Sequence, residues 1–384
     1  MANRGPRKAV IVITLFFLLL SLQAFIAFLY NDAFTAFESN GYPSDTSLNV
    51  TAAVKPHSPD DTADNESLRY IPHSTIQTWR ERDYLIVFGI LSIDIEARRR
   101  HRYLQRTTCW QFPGVARRAN NFTGAMLVLY VLARHPSHGY NFSAVLLEEA
   151  DEWHDVITFH KNEGRSTTEK TVTGVGYWGT EAEIGMSRKV YFWFELALRV
   201  FPNVNYISKG DDDMFLRVPQ FLADLRTLPR RRVYWGVPIG WKARKGSKNV
   251  GFRFAGGMCY TLSKDVAQQF VSYNPIQRLV NLPYSNEREP EFFSFSMHRE
   301  DVFVGHILYL ELNGRKCDFF AESPCRFHNF YNKEGVSAVT SSSVVIHKLP
   351  EADYIKLMKQ FSVNNTYLPK VKVLRGRGYV RISC

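Results

Sequence analysis

Val204-Asn205-Tyr206-Ile207-Ser208-Lys209-Gly210-Asp211-Asp212-Asp213-Met214-Phe215 carries an apolar, strand-like run into three consecutive aspartates and out through an apolar pair. The reading is a strand over 203–208 with the aspartates in the loop behind it. Three like charges on adjacent residues repel one another, so a strand end that gathers them needs a compensating cation. Mn²⁺ or Mg²⁺ suits the task, because hard cations take carboxylate oxygens and keep positions free for phosphates. A short Asp run can also be a solvated acidic turn, so the sequence around it has to decide.

Working outward, Tyr84–Leu91 (YLIVFGIL) and Ala125–Ala133 (AMLVLYVLA) are too apolar to face water on one side and read as buried strands. Ser187–Phe201 reads as a helix with a Ser start and Pro202 after its end. Val218–Leu225 and Val302–Leu310 read as helices, and Arg232–Val237 and Ser343–Ile346 as strands. Short strands alternating with amphipathic helices predict an α/β fold with a mostly parallel central sheet. In such sheets ligands collect beyond the carboxyl ends of the strands, where the aspartates fall.

The flanks add a cellular setting. Arg4, Arg7 and Lys8 precede an uncharged apolar stretch over 9–30, about 33 Å long as a helix against a bilayer core of about 30 Å. The basic flank places residues 1–8 in the cytosol as a tail, residues 9–30 across the membrane as a signal-anchor, and everything after in a lumen. Residues 31–67 hold seven acidic side chains against one Lys and almost no large apolar residue, the composition of a flexible stem. Sequons at Asn49, Asn65, Asn121, Asn141 and Asn364 all fall on the luminal side. Five cysteines allow one or two bridges, and the closeness of Cys317 and Cys325 makes them the expected pair. The whole sequence has a formal net charge of +11; with the three basic tail residues and the acidic stem set aside, residues 68–384 carry +14. A luminal domain that basic calls for nucleotide diphosphates, acidic glycans or membrane surfaces as partners, and not nucleic acid.

Three further patterns bear on chemistry. Phe254-Ala255-Gly256-Gly257-Met258-Cys259-Tyr260-Thr261-Leu262-Ser263 has a Gly pair that permits close backbone approach to a ligand, and Ser263-Lys264-Asp265 resembles a helix start. Arg299-Glu300-Asp301-Val302-Phe303-Val304-Gly305 opens an apolar helix with two carboxylates. His347 ends the strand-like Val344-Val345-Ile346 and becomes a metal ligand if an acidic site lies beside it. Arg98, Arg99, Arg102, Arg106 and Lys189 are candidate diphosphate or uracil-side contacts, although Arg98–Arg102 reads equally as a solvated helix face. Trp178 and Trp241 are candidate platforms for sugar rings. Lys242–Lys248 (KARKGSK) reads as a flexible loop.

In order and wording these blocks resemble the inverting β1,3-glycosyltransferases, the galactosyl- and N-acetylglucosaminyltransferases of the secretory pathway. The resemblance runs from Arg98–Arg106 and Trp110 through Lys209–Phe215 and Gly256–Ser263 to Glu300–Gly305, nearly all of the folded region. Arg106-Thr107-Thr108-Cys109-Trp110 has one residue more than the usual Arg-x-Thr-Trp, and the stretch between Asp155 and Lys189 departs from the animal pattern. The chain thus resembles a divergent branch, of the kind trypanosomatids use for surface glycans. The resemblance implies a single GT-A type nucleotide-sugar-binding domain over 68–384 in a type II Golgi membrane protein. It further implies Mn²⁺ or Mg²⁺, UDP-Gal or UDP-GlcNAc as donor, and a glycan acceptor. It assigns Asp213 and His347 to the metal, Asp211 to the ribose or donor sugar, Asp212 to the donor side, and Asp301 as the base, with Glu300 the weaker candidate. A Ca²⁺-dependent lectin would not need Glu300-Asp301, and its aspartates should resemble an EF-hand loop, which Asp-Asp-Asp-Met does not. A hydrolase using Asp213 and Asp301 as a carboxylate pair is the other reading.

Overall fold

The computed structural model describes residues 66–174, 176–245, 248–314, 317–362, 366–374 and 379–384. The expected tail, the span over 9–30, all but the last two residues of the stem, and the sequons at Asn49, Asn65 and Asn364 lie outside them. Among the described residues no helix is long and apolar enough to cross a membrane.

Thirteen strands are described: β1 Ile86–Leu91, β2 Val115–Ala116, β3 Met126–Arg134, β4 Val156–Asn162, β5 Tyr206–Asp211, β6 Met214–Leu216, β7 Val233–Lys245, β8 Lys248–Ser263, β9 Asp318–Glu322, β10 Phe327–Asn329, β11 Val345–His347, β12 Lys370–Leu374 and β13 Tyr379–Ser383. The helices are α1 His73–Glu81, α2 Glu96–Thr107, α3 Ala144–Trp153, α4 Thr180–Val200, α5 Val218–Thr227, α6 Lys264–Val271, α7 Asn274–Asn281, α8 Glu289–Ser294, α9 Glu300–Gly305 and α10 Tyr354–Gln360. The main sheet has the order β12-β13-β9-β7-β8-β5-β1-β3-β2, with β4 also on β3. Only β8 and β12 run against the others, so the sheet is mixed but mostly parallel. A small second sheet, β10-β11-β6, lies beside it.

The centre follows from the apolar sequence of β1. Ile86, Phe88 and Ile90 enter one core cluster and Val87 and Leu91 the other, so both faces of the strand are covered. Each fully buried aromatic side chain stabilises the fold by about 2–3 kcal/mol relative to exposure, and Trp193, Phe194, Trp235 and Tyr260 are all fully buried. From β1 the chain goes to β2, β3 and β4 on one side and returns through α4 to β5 on the other. The carboxyl ends of β1 and β5 therefore bound a crevice where the strand order reverses, with Leu91 in register with Asp211.

Several local expectations shift. The strand into the aspartates runs on through Asp211, so the first of the three is a strand residue. The helix expected from Ser187 begins at Thr180, because the Ser187 hydroxyl donates to the Met297 carbonyl (2.7 Å) instead of capping, and Glu181 and Glu183 occupy the first turn. The helix expected over 302–310 is α9 followed by a π-helical turn, His306–Glu311. The loop expected at 242–248 is largely strand: Trp241, Ala243, Val250, Phe252 and Phe254 alternate along the β7–β8 ribbon and pack with Val302 and Leu310. The Cys317–Cys325 pairing is overturned, since the disulfide joins Cys325 to Cys384. Strand β9 lies between the two expected partners and holds them apart, its five extended residues alone spanning roughly 16 Å. Parallel pairing of β13 with β9 brings Cys384 to Cys325 instead, and Cys317 stays buried against the Tyr309 hydroxyl.

Candidate active site

The period of two along β5 points Lys209 and Asp211 to the same side, and Lys209 Nζ donates to Asp211 Oδ1 at 2.7 Å. The chain then turns into β6, whose antiparallel pairing with β11 sets Met214 opposite His347. That register brings His347 Nε2 to 3.2 Å from Asp211 Oδ2 and 3.1 Å from Asp213 Oδ1. Asp211, Asp213 and His347 each offer one ligand atom, all within 4.8 Å of one another. Gln105 Nε2 donates to the Met214 carbonyl (2.9 Å) and Leu349 N–H to the Asp213 carbonyl (3.0 Å), which fixes the turn. His347 Nδ1 faces Asn329 Oδ1 at 2.9 Å, across the parallel β10–β11 pair. An N–H at Nδ1 leaves Nε2 as the ligating atom, the arrangement of a metal-binding histidine.

A lone pair on Nε2 aimed at two carboxylates is repulsive unless a positive charge lies between them. Without a metal that charge is a proton. Burial alone would lower the His347 pKa, but Asp213 and Asp211 outweigh it and raise it to about 9. In return His347 lowers Asp213 against the opposing effect of burial, and Lys209 with His347 does the same to Asp211. Two carboxylates and one imidazole suit Mn²⁺ or Mg²⁺ with further positions left to ligand oxygens.

Asp212 points elsewhere. It accepts from Ser92 Oγ (2.6 Å) and from Arg98, and it is buried. Gly256 and Gly257 lie on β8 across from the triplet. Gly257 N–H donates to Asp301 Oδ2 (3.1 Å), and its carbonyl accepts from Lys209 Nζ (2.6 Å). A side chain at Gly257 would meet Glu300 Oε2, Asp301 Oδ2 and Lys209 Nζ at 3.4–3.5 Å, so the glycine keeps that space open. Gly256 instead backs onto Ile239.

Glu300 and Asp301 open α9 but behave differently. Glu300 accepts from Lys209 Nζ (2.8 Å) and from the Tyr260 hydroxyl (2.7 Å), so both of its oxygens are engaged. Burial, opposed by Lys209 and reinforced by Asp301, raises its pKa to about 7. Asp301 is less covered and accepts only backbone N–H groups, from Gly257 and from Val302 (2.9 Å). Burial raises its pKa as well, with Lys209 opposing.

Lys209 is the residue whose role sequence reasoning missed. Its ammonium, 1% exposed, joins Asp211, Glu300 and the Gly257 carbonyl, and these carboxylates outweigh burial to hold it protonated. A lysine two residues before Asp211 on the same strand face was a readable signal for that contact. The engagement of Ser92 and Asn329 had no local signal.

Three of the basic residues expected at the donor are committed elsewhere. Arg102 makes a two-pronged pair with Glu149 (2.7 and 2.6 Å) and also donates to Ser92 Oγ (2.8 Å). Arg106 binds Glu149 (2.7 Å) and both oxygens of Asp155 (2.8 and 2.7 Å). Lys189 pairs with Glu163 and donates to the Ser92 carbonyl. All three are buried and tie helices to the sheet. The face of α2 expected to be solvated is so only in part: Arg100 is exposed and Arg99 half-buried, whereas Arg102 and Arg106 are buried. Arg98 does reach the site, through Asp212, and lies 5.6 Å from the centroid of Trp178, which Lys170 also approaches at 4.3 Å.

No family model and no curated protein matches the chain. Among solved structures it is similar to a glycosyltransferase involved in glycosylation of the major capsid of PBCV-1, with 13% identity and a TM-score of 0.30 over 71% of this chain and 99% of that one. Mouse xyloside xylosyltransferase 1 in its apo form matches at 9% identity and a TM-score of 0.31, over 69% and 97%. HddC from Yersinia pseudotuberculosis matches at 11% and 0.26, over 72% and 99%.

Proposed function

We propose that the protein is a metal-dependent inverting glycosyltransferase that moves galactose or N-acetylglucosamine from a UDP-sugar to a glycan hydroxyl, forming a β1,3 linkage. One observation carries the reading: a convergent Asp211–Asp213–His347 ligand set and a separate carboxylate pair, Glu300–Asp301, share one crevice and are joined through Lys209. Transfer from a nucleotide diphosphate needs those two functions side by side. Asp211, Asp213 and His347 would hold a divalent cation, which when bound neutralises the charge growing on the diphosphate as the glycosidic bond breaks. Lys170, beside the ring of Trp178, is placed to add positive charge on that side, while Arg98 is paired with Asp212.

Asp301 is the better base of the acidic pair. Each carboxylate accepts one hydrogen bond per oxygen, but Glu300 is buried and tied to the Lys209 ammonium. Asp301 is less covered, accepts only backbone N–H groups, and has its pKa raised by burial, which favours taking the acceptor hydroxyl's proton. The Gly257 N–H and Lys209 steady the carboxylate while a sugar hydroxyl takes the place that water has in an inverting glycosidase. We extend the proposal to a type II Golgi membrane protein with its catalytic domain in the lumen. The Cys325–Cys384 bridge fits an oxidising compartment, and Asn121 and Asn141 stand exposed for glycosylation.

The test is UDP release from UDP-Gal and UDP-GlcNAc with Mn²⁺ and a panel of acceptor glycans. Asp213→Ala should abolish metal-dependent turnover. Asp301→Asn should still bind donor but fail to transfer. Turnover indifferent to chelator removes the metal assignment, and wild-type transfer by Asp301→Asn removes the base.

A further inference from the structure

Next to Glu300 and Asp301, Tyr177 ahead of α4 and Trp241 of the β7–β8 ribbon come together around one arginine. Arg299 stands there, immediately before Glu300 and Asp301. Its side chain is exposed, and its guanidinium lies 5.2 Å from the Tyr177 ring centroid and 5.5 Å from that of Trp241. Among the described residues it has no hydrogen-bond or ion-pair partner. Arg98, Arg102 and Arg106, in contrast, are each bound to a carboxylate. Glu183 is within electrostatic reach of Arg299 but accepts from the Trp178 N–H (3.2 Å).

The neighbouring ribbon offers Arg299 no acid to pair with: residues 240–253 contain no Asp or Glu. The ribbon is held against α9 by Phe252, Phe254 and Val302, so its position beside Asp301 is built in. A neutral sugar is best held by carboxamides and carboxylates, and in 240–253 only Asn249 is of that kind. Lys170 already supplies a cation on the metal side, so Arg299 lies beyond what a donor diphosphate requires.

We infer that Arg299, Tyr177 and Trp241 form an acceptor subsite for an anionic glycan, whose sugar next to the reacting hydroxyl bears a carboxylate or a phosphate. The inference rests on the glycosyl-transfer reading of the neighbouring site. The rings cover the apolar faces of the sugar, and the planar guanidinium held between them pairs two-pronged with the anion. Pairing there sets the sugar against α9 with its hydroxyl directed to Asp301.

The experiment uses the full-length protein with three acceptors of one backbone: a neutral disaccharide, its uronic-acid counterpart and its phosphorylated counterpart. Transfer is measured as kcat/KM, and binding without donor as quenching of tryptophan fluorescence. At least one anionic acceptor should be preferred over the neutral one by about tenfold or more. The preference should shrink between about 0.05 M and about 0.5 M salt. Arg299→Gln should reduce the ratio of anionic to neutral binding to below about threefold, and Lys242→Gln, on the opposite face of the ribbon, should leave it unchanged. The carboxylate and phosphate arms tell which anion is read. Equal use of the neutral acceptor, or an unchanged ratio in Arg299→Gln, overturns the inference while metal-dependent UDP release leaves the glycosyl-transfer reading standing. If UDP release fails, the donor-free binding ratio still decides whether this surface selects anions.

Discussion

Replacing Glu300 with Gln should make the protein more stable at about pH 8 and leave it nearly unchanged at about pH 5. Glu300 is buried and shares its one cation, Lys209, with Asp211, while Asp301 adds a second negative charge nearby. Its pKa in the folded protein is about 7, above the ordinary 4.5. A carboxyl raised in this way gives its full stability below the unfolded value and loses it as pH climbs through the folded one. A shift of this size corresponds to about 3 kcal/mol, of which less than about 1 kcal/mol has been lost at pH 5 and nearly all by pH 8.

Gln removes that titration at a cost. Its carbonyl can still accept from Lys209, and its amide can donate to the Tyr260 oxygen, but the Tyr260 O–H then loses its acceptor, about 1 kcal/mol. The two effects nearly cancel at about pH 5, and at about pH 8 the variant gains about 2 kcal/mol. Urea denaturation of both proteins at the two pH values, with chelator present, reads the difference directly. Should Glu300→Gln instead destabilise the protein equally at both pH values, Glu300 is ionised in the folded state and the Lys209 ion pair, not burial, governs it.

Other consequences follow from the same geometry. Metal binding must displace the proton that His347 holds below about pH 9, so calorimetry should show release of one proton and an affinity for Mn²⁺ that rises about tenfold per pH unit between about pH 6.5 and about pH 8.5. Gly305→Ala would set a methyl against Phe254 and the Arg253 carbonyl, where α9 rests on β8. Overpacking there should cost about 2–3 kcal/mol in chemical denaturation and, by moving Glu300 and Asp301, lower kcat more than it raises KM. Cys384→Ser opens a loop with a sequence separation of 59 and should cost about 4 kcal/mol by chain entropy, seen as a lower urea midpoint with a similar slope.

What could be read in the sequence is what depends on neighbours in the chain. The apolar runs of β1, β3 and β5 signal buried strands because hydrophobicity is a local property, and Lys264–Val271 follows the Ser263 signal. The acidic triplet marks a strand end for the same reason. Partner choice across the fold is another matter. Arg102 and Arg106 look like a basic patch in the sequence, and only the arrival of Glu149 and Asp155 from α3 and the start of β4 turns them into internal ion pairs. The proximity of Cys317 and Cys325 in sequence misleads because an extended strand separates them. The ribbon at Lys242–Lys245 reads as a loop because its apolar alternation is interleaved with Lys and Arg, and the surface it packs on, α9, lies far along the chain.

Charge explains why these distant pieces must assemble as they do. Five carboxylates meet at the crevice, Asp211, Asp212, Asp213, Glu300 and Asp301, against three cations, Lys209, Arg98 and His347 when it is protonated. Asp212 is neutralised internally by Arg98 and Ser92, which leaves the other two aspartates of the triplet free to face His347. Lys209 serves Asp211 and Glu300 at once, so it cannot fully neutralise either, and the excess negative charge remains at the mouth of β5. A divalent cation offsets that excess; a bound anion alone would not. The acidic triplet thus divides its labour: the middle residue anchors α2, and its two neighbours face His347, where a divalent cation would be held.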